Sequence, residues 1–250
     1  MKKLQFLIYL ILILSVVSVI IFGIKPFSQN LDPEETLIKE VGIYPNETYR
    51  LSDATFLVSV RTSMPNVKAE MVRWWFTDFL ATTEHYRLWH PADHIWMDWE
   101  NKEPGEIIGA SHLVHEYIGG DLRKLRIQFV NSSEFFGYDA NDEDTFVLCA
   151  RVGSLDIDFN IAKMCHVVVN TEDGAEMRSR FWLGHVYKRK GNEIVFSIAN
   201  FIANMAIVRF FSIDKKSAED LKNHASEEMV FLSDLLPVIF LSDKKVNKRI

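Results

Sequence analysis

Cysteine is scarce: Cys149 and Cys165 are the two in 250 residues. Two cannot build the disulfide framework of a small secreted scaffold. A single bridge in an exported domain and a pair of buried free thiols both fit. Glycine (11) and proline (7) are also few, which excludes collagen-like and low-complexity chains. No Gly-x-Ser-x-Gly elbow, P-loop, Gly-x-Gly-x-x-Gly or His-Glu-x-x-His is present. Ordinary serine hydrolases, nucleotide enzymes and zincin proteases therefore lose ground. Excess positive charge is missing as well. The net charge is −6, and residues 1–25 hold Lys2, Lys3 and Lys25 but no acid, so the remainder stands at −9. Phosphate binding needs a basic face, and nucleic acid is not an expected partner.

What is there is ordinary globular composition, 48% hydrophobic and 25% charged, with one unusual stretch. Leu4 to Ile24 is 21 residues without a charge. As a helix it would match the thickness of a bilayer's hydrocarbon core. Lys2 and Lys3 precede it, which places the N-terminus in the cytoplasm. The expectation is a single-pass membrane protein. Residues 1–25 would form an uncleaved anchor, with membrane contact through residues 4–24, and the C-terminal domain would lie on the non-cytoplasmic side (secreted if the segment were a cleaved signal). Residues 26–50, with Pro26, Pro33 and Pro45, read as a tether. Residues 51–240 read as one domain and 241–250 as a basic tail.

Within that domain Thr55–Thr62 is a β-branched and apolar run, a strand signal. Pro65 fits the first turn of a helix whose stripe is Val67, Met71, Trp74, Trp75 and Phe79. Leu125, Ile127 and Phe129 alternate with polar neighbours, as do Leu155, Ile157, Phe159 and Ile161. Met164–Asn170 and Met177–Leu183 read as strands joined by a turn at Asp173-Gly174. Strands polar on one face and apolar on the other point to an antiparallel sheet. Val195–Phe211 reads as a core helix rather than a second span, because Asn200, Asn204 and Arg209 are costly in lipid. Ser217 is placed as the cap of a C-terminal helix with the buried stripe Leu221, Ala225, Glu228, Leu232 and Leu235. The class is α+β: a curved antiparallel sheet gripping a long C-terminal helix.

Most of the eight histidines fall in two short blocks: His85, His90 and His94 in one, His112 and His115 in the other. His224 stands four residues before Glu228 on the last helix. At that spacing an imidazole and a carboxylate share one face and can bite one metal ion. A surface contact worth a few tenths of a kcal/mol is the bland alternative. If Leu113–Tyr117 is a strand, Glu116 shares a face with His112 and Val114, and a carboxylate inside a sheet needs a partner. Two His and two Glu make a site suited to Zn²⁺, with Mn²⁺ or Fe²⁺ also fitting.

Several blocks together resemble the 2,4-diacetylphloroglucinol hydrolase family. They are Trp74-Trp75-Phe76, the run Tyr86-Arg-Leu-Trp-His-Pro-Ala-Asp-His94, Glu116-Tyr-Ile-Gly-Gly120, Met177-Arg-Ser-Arg-Phe-Trp-Leu-Gly184 and His224-x-x-x-Glu228. The resemblance implies a helix-grip fold like that of the major birch-pollen allergen. It implies one Zn²⁺ per chain on His94, Glu116, His224 and Glu228, and hydrolysis of the carbon–carbon bond between an acyl group and a phenolic ring. It also implies that Tyr86 contacts a substrate hydroxyl and that His166 assists proton transfer. Trp74, Trp182 and His90 are placed around a small aromatic ketone substrate. Met97 stands where the family has an Asn, and neither Phe181 nor Trp182 supplies an aromatic hydroxyl expected nearby, so the substrate shell departs from the family pattern. The rival expectation is a non-catalytic helix-grip module that holds a lipid or an aromatic small molecule.

Overall fold

The computed structural model describes residues 46–247. Its framework is one antiparallel sheet of strands β1 (Glu47–Arg50), β2 (Phe56–Pro65), β3 (His94–Glu100), β4 (Ser111–Ile118), β5 (Asp121–Val130), β6 (Thr145–Ser154), β7 (Phe159–Asn170) and β8 (Gly174–Lys190). Their spatial order is β1-β2-β8-β7-β6-β5-β4-β3. A two-residue strand β9 (Glu193–Ile194) pairs with the end of β8. Alternation decides which face each side chain takes. On β4 and β5 the inner face carries His112, Val114 and Glu116 beside Leu125, Ile127 and Phe129.

Six helices complete the described residues: α1 (Ala69–Trp74), α2 (Thr83–Trp89), α3 (Ser133–Phe136), α4 (Ile198–Ala203), α5 (Ala206–Ser212) and α6 (Lys215–Asn247). A π-helical turn at Trp75–Phe79 prolongs α1. Helix α6, 33 residues and so about 50 Å long, packs against the sheet through Ala225, Met229, Leu232 and Leu236, all buried. At Gly119, in the turn joining β4 to β5, φ is +63° and a Cβ would lie 2.3 Å from the Asp220 side chain of α6. Only glycine meets both demands, so this turn presses the β4–β5 hairpin onto the helix.

A second, smaller cluster lies on the other face of the sheet, made of Leu57, Val130, Val147, Val167, Trp182 and the two cysteines. Cys149 and Cys165 face each other across β6 and β7 and are disulfide-bonded, which settles the choice left open by the sequence.

The α+β class and the curved antiparallel sheet with its long C-terminal helix match the sequence expectation. Several local expectations do not. Pro65 ends β2 instead of starting a helix, and α1 begins at Ala69. The alternation from Leu155 runs through a turn, with Ile157 54% exposed, and β7 starts only at Phe159. Val195–Phe211 is not a core helix: it makes two short helices with Phe196, Phe201 and Phe211 facing solvent. The cap of α6 is Asp214, whose Oδ1 accepts from the Ser217 N–H at 2.7 Å. Strand β1 falls inside the stretch read as a tether, and α6 continues through residues read as a tail.

The single-pass membrane placement is corrected as well. Among the described residues no helix is long and apolar enough to cross a membrane. The expected span at residues 4–24 lies outside them.

Candidate metal and substrate site

Three parts of the chain converge at one end of the sheet. Helix α2 is capped by Thr82, whose Oγ1 accepts from the His85 N–H. It ends against α6, where the Trp89 indole N–H donates to the Glu228 carbonyl at 2.7 Å. The loop after it carries Asp93 and delivers His94 as the first residue of β3, directly opposite Glu116 of β4. Helix α6 supplies His224 and Glu228.

The four side chains named from the sequence as ligands are brought together. His94 Nε2 lies 3.5 Å from Glu228 Oε2 and 4.0 Å from Glu116 Oε2, and His224 Nε2 lies 3.9 Å from Glu228 Oε2. His94, Glu116 and His224 are buried, and the Glu228 side chain is 12% exposed. His94 Nδ1 is 2.9 Å from the Tyr86 carbonyl and His224 Nδ1 is 3.0 Å from Asp93 Oδ2. Each Nδ1–H donates outward in this arrangement, and each Nε2 is left as a bare acceptor facing carboxylates. Neither Nε2 has a hydrogen-bond partner among the described residues. A buried polar atom without a partner costs about 1–3 kcal/mol. Two such atoms beside two buried carboxylates are a donor set for a cation, with outward Nδ1–H bonds fixing the rings as in metal sites generally.

The electrostatics agree with that reading. Burial pushes the Glu116 carboxyl up, and the nearby Glu228 charge adds to it against His224 and His94. Burial also opposes ionisation of Glu228, but His94 and His224 outweigh it and hold that carboxyl below its usual range. His224 is raised, because Glu228, Glu116 and Asp93 overcome its desolvation. Burial, together with the adjoining Glu116 charge, raises Tyr86 well above the ordinary phenol, so its hydroxyl stays protonated and donates to Glu116.

These residues open onto a cavity of about 400 Å³ between the sheet and α6, the size that encloses a small organic ligand. Tyr86, His112, Glu116, His166, His224 and Glu228 are among its polar lining, and Phe76, Phe129, Ile127, Met164, Phe181 and Met229 are among its apolar walls. His166 Nδ1 sits 2.7 Å from Ser179 Oγ, and its ring meets Phe181 edge-on at 5.7 Å. Burial lowers its pKa to about 4 against the pull of Glu228, so the imidazole is neutral near pH 7.

Three residues placed around a substrate by the sequence lie elsewhere. Trp74 packs on Phe79 and Phe240, away from the cavity. Trp182 points to the opposite face of the sheet, with Lys163 Nζ 4.7 Å over its ring, because β8 turns Phe181 and Leu183 inward and the residue between them outward. His90 lies behind His224, its ring 5.5 Å from that imidazole and 4.9 Å from Phe231, and it does not line the cavity. His90, Asp93 and His224 form a second His/Asp grouping. Its Asp93 is the outward partner of His224 Nδ1, which makes the group a support for the first site. Sequence alone does not single out Asp93, whose one signal is its place beside His94 in a Pro-Ala-Asp-His turn.

A family model described as DAPG hydrolase PhiG domain matches residues 30–241. Phloretin hydrolase of Eubacterium ramulus is 27% identical over 203 residues, covering 77% of this chain and 70% of that protein. A 2,4-diacetylphloroglucinol hydrolase of Pseudomonas protegens is 24% identical over 142 residues, and the match spans 46% of its length, about half. Among solved structures, the crystal structure of Ara h 8.0201 is 11% identical with a TM-score of 0.43, covering 73% of this chain and 97% of that one.

Proposed function

On the premise that this chain belongs to the DAPG hydrolase PhiG domain family, we propose that it hydrolyses the carbon–carbon bond between an acyl group and a phenolic ring, using one Zn²⁺ held by His94, Glu116, His224 and Glu228. The observation that carries this reading is the pair of buried, unpartnered Nε2 atoms converging with two buried carboxylates at the end of an organic-sized cavity. A simple carrier of apolar ligands has no use for that set, since bare buried carboxylates and imidazoles weaken the fold. Bound there, Zn²⁺ supplies a Lewis acid for oxygen and eases deprotonation of water.

The chain's own groups supply the rest. The Tyr86 hydroxyl, kept protonated and anchored on Glu116, orients a ring oxygen of the substrate. A proton delivered to the acyl-bearing ring carbon gives the keto tautomer, whose acyl carbonyl belongs to a β-diketone and accepts water. The carbon–carbon bond then breaks, the ring leaves as its enolate and takes up a proton, and the acyl group departs as a carboxylic acid. Neutral His166, tethered to Ser179, accepts and returns that proton in this reading. The walls formed by Phe76, Phe129 and Phe181 keep water from the flat ring.

The test is zinc analysis of the purified full chain together with an assay for acid release from acylphloroglucinols. Close to one Zn²⁺ per chain and acid release are expected, with both lost in His224→Ala. Absence of zinc and of acid release would sink the reading.

A further inference from the structure

His112 has no part in the chemistry above, yet it is among the most confined polar groups of the cavity. It lies four residues before Glu116 on β4 and on the same inner face. One face of its ring stacks on Trp99 at 4.6 Å and 22°. The Tyr86 ring meets it edge-on at 5.2 Å. Trp99 is itself fixed, its indole N–H donating to the Leu80 carbonyl at 2.8 Å. The imidazole is 3% exposed, and its Nε2 has no hydrogen-bond partner among the described residues. Phe129 and Ile127 are the neighbouring walls.

An apolar side chain would fill this position without an orphaned nitrogen, so the ring costs stability unless something in the cavity completes it. Burial and the adjacent His94 hold its pKa at about 3, so near pH 7 it is an uncharged imidazole with one donor and one acceptor nitrogen. A neutral group of that kind suits a neutral hydroxyl. Its distance from the Tyr86 ring lets one aromatic ring bearing two oxygens meet both side chains.

We infer that His112 is a specificity-determining residue that hydrogen-bonds a second ring hydroxyl of the substrate, beyond the oxygen met by Tyr86, so that the site selects polyhydroxylated acylphenols. This rests on the acylphenol reading of the site. A pocket built to bond a hydroxyl rejects the analogue lacking it, because the buried polar group is then left unpaired.

The experiment crosses one residue with one hydroxyl. Acid release is measured for monoacetylphloroglucinol and for the two acetylphenols that each lack one of its hydroxyls, with the wild-type chain and His112→Phe, which keeps the stack on Trp99. Wild type is expected to prefer the trihydroxylated compound over at least one analogue by about tenfold or more in kcat/KM. His112→Phe is expected to bring that ratio close to one, with the larger loss falling on the trihydroxylated compound, and His112→Gln to restore part of it. Should His112→Phe not fold, His112→Met takes its place with the same expectation. An equal loss on all compounds, or an unchanged ratio, overturns the inference. If wild type hydrolyses none of them, the hydrolase reading fails by itself. The same ratio is then read from the binding constants of these compounds by tryptophan fluorescence, and its absence there overturns the role of His112.

Discussion

The His94 imidazole lies flat on the ring of Tyr86, centroids 3.7 Å apart and planes at 7°, while its Nδ1 meets the backbone carbonyl of that same tyrosine. One residue thus fixes the proposed ligand twice, and its hydroxyl holds a second, Glu116. The two functions separate by substitution. Tyr86→Phe keeps the stack and the carbonyl but leaves the buried Glu116 without its donor. Zinc content should hold, while kcat for acid release falls about 10- to 100-fold, in the range of a lost positioning donor. Tyr86→Ala also removes a wholly buried ring and should cost about 3–5 kcal/mol in urea unfolding. Full activity in Tyr86→Phe would remove the phenol from the mechanism.

Asp93 stands one step further out. Its Oδ2 accepts from His224 Nδ1–H across 131 residues of sequence. Outer partners of this type orient the ring and raise its basicity, and removing them weakens metal binding by about 10- to 100-fold. Asp93→Ala is therefore expected to lower zinc affinity by that factor in competition with a chromophoric chelator. Asp93→Asn should be milder, since an amide oxygen still accepts. Equal affinity in all three proteins would show that Asp93 has no such role.

The reasons some of this was legible in the sequence, and some not, are physical. On β5, Leu125, Ile127 and Phe129 face the core and Lys124, Arg126 and Gln128 do not, so period-two alternation locates the strand and its inner face. The i, i+4 pair His224 and Glu228 is equally local, because helix geometry alone aligns the two. Trp182 escaped because both faces of β8 are buried at that point, and hydrophobicity then carries no sign of direction. The connection at 155–158 is hidden because Ile157 continues the apolar rhythm although it faces water. The residues at 195–211 carry the apolar character of a core segment, but Phe196 and Phe211 are 94% and 76% exposed. Asp93 and His112 depend on contacts between distant segments, which no local pattern encodes.

The disulfide is a matter of chain entropy. Cys149 and Cys165 are 16 residues apart and directly opposed on β6 and β7, in the outer cluster with Trp182. Closing a loop of that length restrains the unfolded chain by about 3 kcal/mol. The double variant Cys149→Ala/Cys165→Ala should lose about 2–3 kcal/mol in urea unfolding. Its zinc content and acid release should not change, because the bridge lies on the face of the sheet away from the cavity. An unchanged midpoint under non-reducing conditions would show that the bridge does not stabilise the chain.

Acid should destabilise the protein through histidines held neutral, and His185 offers the cleanest reading because it lies apart from the proposed metal site. Burial first, then Lys163 of β7 and Arg209 of α5, lower its pKa to about 4 against the pull of Asp53. Unfolded, it titrates near 6.5. Above pH ~6.5 the ring is neutral in both states and its contribution to stability is fully present. As the pH falls below that value the unfolded chain binds a proton that the folded chain refuses. Stability drops by up to ~1.4 kcal/mol per pH unit for this one group until the folded ring protonates near pH 4. The Asp53 carboxyl, desolvated but bonded to Thr55 and paired with Arg209, is held below its usual range. Urea unfolding of wild type and His185→Gln at intervals from pH 7.5 to 4.5 should give curves whose slopes agree above pH ~6.5. Below it they should diverge, the variant losing stability less steeply by up to one proton's worth. Parallel curves over the whole range would mean that His185 titrates alike in both states.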